Sequence, residues 1–114
     1  MHIDRLFLPL NKMWYDLFVS GQKTWELRGI NSQYNEKTVY LGRAVEIRSG
    51  YKNGAKFGKI DAYIIAKSWD DLPQNVKTGI IPEHLNEDKK AMKFLESYLE
   101  HYKDAGFIVF KIVF

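Results

Sequence analysis

Hydrophobic and polar positions change period several times along the 114-residue chain, and each change marks an expected element. Leu6, Phe7, Leu8 and Leu10, with Pro9 near the end, suit a first strand over residues 5–10. In residues 11–20, Met13, Trp14, Leu17 and Phe18 recur at helical spacing, and Asn11 is placed to accept from a free backbone N–H as N-cap. Gly21 is the expected helix stop, because the left-handed conformation that follows a helix favours a residue without Cβ. Residues 23–28 then return to period two, with Trp25 and Leu27 on one face and Thr24, Glu26 and Arg28 on the other. One face is apolar and the other ionic.

Residues 29–38 are rich in Asn, Ser, Gly and Gln and read as a loop. At about ten residues it exceeds the usual 4–6, which makes it a candidate functional loop. Alternation resumes over residues 39–48, and the glycine-rich residues 49–58 form a hairpin-like connection. Residues 59–69 set Ile60, Ala62, Ile64 and Ala66 against Asp61, Tyr63, Ile65 and Lys67, the pattern of a well-buried central strand. A short helix is expected near residues 72–77, between Pro73 and Gly79. Asn86 is the expected N-cap of a longer helix to about residue 104, with Glu87 and Asp88 in the first turn, where the helix dipole favours negative charge. Met92, Leu95, Leu99 and Tyr102 form its apolar stripe, and its lysines and glutamates form a solvated face. Gly106 ends it, and the apolar residues 107–114 form a closing strand. Five strands and two or three helices without a regular βαβα repeat indicate an α+β fold, a small mixed β-barrel flanked by the helices. Closing the sheet on itself would remove its edges.

Length is that of a single domain spanning residues 1–114. Aromatics make up 15% of the chain, so large rings can build the core, and there is no cysteine for a disulfide, a thiol nucleophile or the usual zinc clusters. His2, His84 and His101 have no metal-ligand spacing, so neither metal nor cofactor is expected. No apolar run approaches the roughly 20 residues that span a bilayer, and Asp4 and Arg5 do not suit a signal peptide. A soluble cytoplasmic protein with no membrane partner is therefore expected. The net charge is only +3, but residues 37–59 carry Lys37, Arg43, Arg48, Lys52, Lys56 and Lys59 against Glu46 alone. Tyr40, Tyr51 and Phe57 are interleaved with these cations, an arrangement suited to single-stranded nucleic acid. The same lysines would equally solvate outer strand faces and discourage edge pairing.

The densest chemistry lies between Gly21 and Arg28. Arg28 offers a planar fork for phosphate or a base edge, Lys23 a point charge, and Glu26 an acceptor for exocyclic amines. Strict alternation sends Lys23 away from Glu26, so a shared cleft requires a twisted strand start or the reach of the lysine stem. Trp14 and Trp25 sit at core positions, whereas Tyr34 and Tyr40, in or beside the long loop, are the better stacking candidates. Ser20, Thr24 and Ser68 are the nearby hydroxyls, and none has a histidine beside it in sequence.

Gly21-x-Lys23-x-x-Glu26-x-Arg28, after an amphipathic helix and a strand ending in Leu8-Pro9-Leu10, resembles the signature of the ASCH domain, a branch of the PUA-like superfamily. The resemblance implies a PUA-like pseudo-barrel with helices beside a cleft, and an association with RNA or modified nucleotides. Some small ASCH proteins are amidohydrolases that deacetylate a modified cytidine with a lysine base, a threonine nucleophile and a glutamate acid. Lys23 matches that lysine, but Glu26 stands where the threonine would be, and Thr24 is one residue after the lysine rather than three. The leading expectation is thus a binding module for single-stranded RNA or a modified nucleotide. Its contacts would come from Lys23, Thr24, Glu26, Arg28, Tyr34, Tyr40, Arg43, Arg48, Lys52 and Lys56. The alternatives are a ribonuclease or amidohydrolase with Lys23 as base and Glu26 as acid or water-orienting group, and a protein-interaction module whose partner meets the C-terminal helix.

Overall fold

The computed structural model describes residues 4–50 and 55–114. Strand β1 (Leu6–Leu10) leads into helix α1 (Lys12–Val19), where the Asn11 side chain accepts from the Trp14 N–H at 3.1 Å. The chain leaves α1 through Gly21, whose φ of +82° lies in the left-handed region, and enters β2 (Trp25–Gly29). Then follow β3 (Ala44–Ser49), β4 (Ala55–Ala66), a 3-10 turn Trp69–Asp71, α2 (Gln74–Ile80), a second 3-10 turn Glu83–Leu85, α3 (Lys89–His101) and β5 (Phe107–Val113).

The five strands form one mixed sheet in the order β1-β3-β4-β5-β2, parallel between β1 and β3 and antiparallel elsewhere. β4 is the spine. Its first half pairs with β3 and its second half with β5, and between them Asp61 is an extra residue, since Ile60 pairs with Ile112 and Ala62 with Lys111. A bulge of this kind bends the strand and lets the sheet curl. It also corrects the expected faces of this strand. Ile60 is separated from Ala62, Ile64 and Ala66 by the phase shift, and Tyr63 and Ile65 remain partly open to solvent, so β4 is central but buried only in part.

The sheet is a curled half-barrel, and backbone pairing does not close it. β1 and β2 are its two edges. Pro9 fits such an edge, because it has no N–H to give to a ladder. The core fills the inner face with Leu6, Leu8, Val45, Ile47, Ile60, Phe110 and Ile112, all nearly inaccessible. β5 is buried on both faces, which is why residues 107–110 show no alternation.

The helices depart from expectation in three places, one being that the long helix α3 ends at His101, short of the expected residue 104 and of Gly106. The short helix α2 runs to Ile80, beyond the expected residue 77. For α3 the N-cap is Asp88, which accepts from Lys90 N and Ala91 N, and not Asn86, which ends the preceding 3-10 turn. α3 docks on the end of β2 through two tyrosines. The Gly29 N–H donates to Tyr98 Oη at 2.8 Å, and Gly29 lies so close to the Tyr102 ring that a Cβ there would stand 2.1 Å from its Cγ. Among the described residues no helix is long and apolar enough to cross a membrane.

Candidate functional site

The three charged residues of the Gly21 to Arg28 segment meet in one place. Glu26 and Arg28 share a face of β2, and Glu26 Oε2 accepts from both Arg28 Nε (2.9 Å) and Nη2 (2.8 Å). Lys23 approaches the other oxygen, with Nζ 3.5 Å from Glu26 Oε1. The alternation that would have sent Lys23 to the far side does not apply, because β2 begins only at Trp25. Backbone bonds steer the segment ahead of it, from Lys23 N to Leu17 O and from Thr24 N to Gly79 O. The ammonium is then fixed by two backbone carbonyls, Trp25 O and Ile80 O, each at 2.7 Å. With Glu26 these give Lys23 an acceptor for each of its three N–H bonds.

Burial sets the electrostatics. Lys23 and Glu26 are 3% and 6% exposed. Loss of solvation lowers the Lys23 pKa from 10.5 to about 8, against the opposing pull of Glu26. Burial would raise the Glu26 pKa, but Arg28 and Lys23 outweigh it and hold the carboxyl below its ordinary value. Burial likewise works against the Arg28 charge, and Glu26 more than restores it. A lysine whose folded pKa lies below its unfolded value binds fewer protons when folded. Stability should therefore rise with pH between about 8 and 10.5. In Lys23→Met that alkaline rise is expected to disappear, which urea unfolding at pH 7 and pH 10 would measure.

Arg28 also closes the gap between the sheet edges. Its Nη2 donates to Pro9 O on β1 at 3.2 Å, and its guanidinium carbon lies 4.8 Å from the Tyr34 ring centroid. Tyr34 Oη donates in turn to Phe7 O at 3.2 Å. Side chains thus join β1 to β2 where no ladder does.

Beside this seam lies a cavity of about 230 Å3. Lys23, Glu26 and Arg28 line it together with Pro9, Leu10 and Asn11 of the β1–α1 corner. The remaining wall is apolar and aromatic, from Trp14, Leu27, Ile80, Phe94, Leu95 and Tyr98. Phe94 is half-exposed, its ring 6.0 Å from Trp14 and 6.5 Å from Tyr98, nearly parallel to the latter. Trp14 Nε1 is buried and has no hydrogen-bond partner among the described residues.

The fold is a known one. A solved structure, the crystal structure of hypothetical protein PH0355, superposes with a TM-score of 0.68 over 93% of this chain and 94% of that one, at 16% identity. Identity that low shows a shared fold and nothing of what either protein binds. No family model matches the chain, and no curated protein matches its sequence.

On the fold shared with PH0355 the other expected site residues are dispersed. Thr24 is outside the cavity lining, and its Oγ1 packs close to Gly79 of α2. Tyr34 is only 6% exposed and holds Arg28 rather than presenting an open ring face. Tyr40 is exposed, with Arg43 5.5 Å from its ring, and Arg43 pairs with Asp4 and donates to Thr38 O. Arg48 pairs with Glu46, and Lys56 lies over the Phe114 ring. Lys52 lies outside the described residues. Phe94, Leu95 and Tyr98 were not among the expected contacts. Their signal was present in the helix, where Phe94, Tyr98 and Tyr102 recur every four residues on a segment otherwise rich in charge.

Proposed function

We propose that the chain is an ASCH-like module that binds a planar nucleobase, free or within RNA, in the cavity beside the Lys23, Glu26 and Arg28 cluster. The observation that carries this reading is the convergence of those three side chains on a cavity walled by Trp14, Phe94 and Tyr98. Aromatic walls suit a flat ring, and Glu26, which lines the cavity, carries acceptor oxygens for its edge. Size points the same way. Sites for drug-sized ligands run to roughly 300–1,000 Å3, so a cavity of about 230 Å3 suits a single small ring system.

Hydrolysis is the second reading, favoured by the Lys23 pKa of about 8, which suits a general base. Two features oppose it. Every N–H of Lys23 already faces an acceptor, and among the described residues no serine, threonine or cysteine lines the cavity. Mass spectrometry of acylated nucleosides and RNA after incubation decides between the readings, and product formed by the wild-type protein would favour the enzyme.

Titration of tryptophan fluorescence with nucleosides and short RNA tests the binding reading, since Trp14 lines the cavity. Saturable quenching is expected. Arg28→Lys keeps the charge but loses the fork that bonds Glu26 through two nitrogens, and should weaken binding at least about tenfold. Absence of a saturable response to every nucleoside and RNA at moderate salt would end the proposal.

A further inference from the structure

We infer that the outer face of β1, β3 and β4 is a track for single-stranded nucleic acid leading to the cavity, so that the preferred ligand is a base within a strand. This rests on the base-binding reading above.

The register lays the surface out as rows. Phe7, Glu46 and Phe57 are successive cross-strand neighbours, as are Pro9, Arg48 and Ala55, and Ala44 pairs with Lys59 on the other side of the Phe57 row. Phe57 is 53% exposed and Phe7 37%, large rings left at the surface of adjoining strands. Around them lie cations. Arg5 has its guanidinium carbon 4.7 Å from the Phe57 ring centroid and a nitrogen 3.7 Å from Glu46, and Arg48 pairs with that same carboxylate. Two guanidiniums thus share one negative charge, and Lys59 is exposed beside them. The balance is positive, and exposed rings among cations are what a sequence-tolerant strand binder uses, bases stacking on the rings and phosphates meeting the charges.

The face is continuous with the cavity. Pro9 shares a face of β1 with Phe7, lines the cavity, and gives its carbonyl to Arg28. A chain with one base beside Glu26 and Arg28 would pass over Pro9 onto the row of Arg48 and then that of Phe57. A free nucleotide would use none of this surface.

Fluorescence anisotropy with a labelled single-stranded RNA oligonucleotide, beside titration with nucleoside monophosphates, tests the track. Wild-type protein should prefer the oligonucleotide. Phe57→Ala should weaken oligonucleotide binding about 5- to 100-fold and leave monophosphate binding unchanged. Lys59→Ala and Arg48→Ala should each reduce the slope of log K against log salt by about 0.7. Phe57 and Lys59 are exposed, so these two variants separate a contact from a folding defect, which circular dichroism would show. Equal affinity for oligonucleotide and monophosphate, or unchanged oligonucleotide affinity in Phe57→Ala and Lys59→Ala, overturns the track while leaving the base-binding reading intact. Wild-type protein that binds neither ligand overturns both.

Discussion

Glu26→Gln is expected to destabilise the fold by about 3–5 kcal/mol, the range for removing one partner of a buried ion pair. The carboxylate lies between Lys23 and Arg28, and all three contribute to one nearly dry cluster. A neutral amide leaves both cations facing each other without a counter-charge. The penalty should depend on pH, because Lys23, with its pKa near 8, can shed its charge and Arg28 cannot. Urea unfolding should therefore show a larger loss at pH 7 than at pH 9.5. Lys23→Met combined with Glu26→Gln should lose less than Glu26→Gln alone, since the double variant leaves one cation in place of two. At the acid end the sign reverses. The stability that Glu26 supplies is present above its ordinary pKa of 4.5 and is lost as pH falls through its lowered folded value.

Gly29→Ala is the second large effect, with an expected cost of about 1–3 kcal/mol or more for forcing atoms into a filled site. The added methyl would stand 2.1 Å from Tyr102 Cγ and 2.3 Å from Cδ1, and the ring cannot yield without moving α3 off the end of β2. Because Tyr98 lines the cavity and accepts from Gly29 N–H, a shift of α3 also deforms the cavity wall. Thermal unfolding and ligand titration should both be affected. Tyr102→Ala in the same chain should recover part of the loss, a coupling measurable in a double-mutant cycle.

Much of this arrangement was legible because it is local. The Asn11 cap and the stop at Gly21, at φ +82°, follow from the chemistry of single residues. The common face of Glu26 and Arg28 follows from strand alternation, and it holds. What escaped depends on partners distant in sequence. Lys23 joins Glu26 because Ile80, 57 residues away, offers it a carbonyl. Tyr34 lies in an irregular loop whose composition suggests exposure, yet it fills the space under the seam because Arg28 and Phe7 O receive it there. Asn86 and Asp88 both had cap chemistry, and Asn86 was already committed to the turn begun at Pro82 and Glu83. The half-barrel itself could not be separated from a closed barrel by pattern, since closure depends on whether the first and second strands meet.

That unclosed edge has a kinetic consequence. The cavity lies where β1 and β2 face each other across side chains, so widening its mouth breaks contacts of Arg28 and Tyr34 and leaves every ladder between strands intact. Entry of the proposed nucleobase should then need only rotations about side-chain bonds rather than local unfolding, at a rate governed by encounter and rotamer exchange.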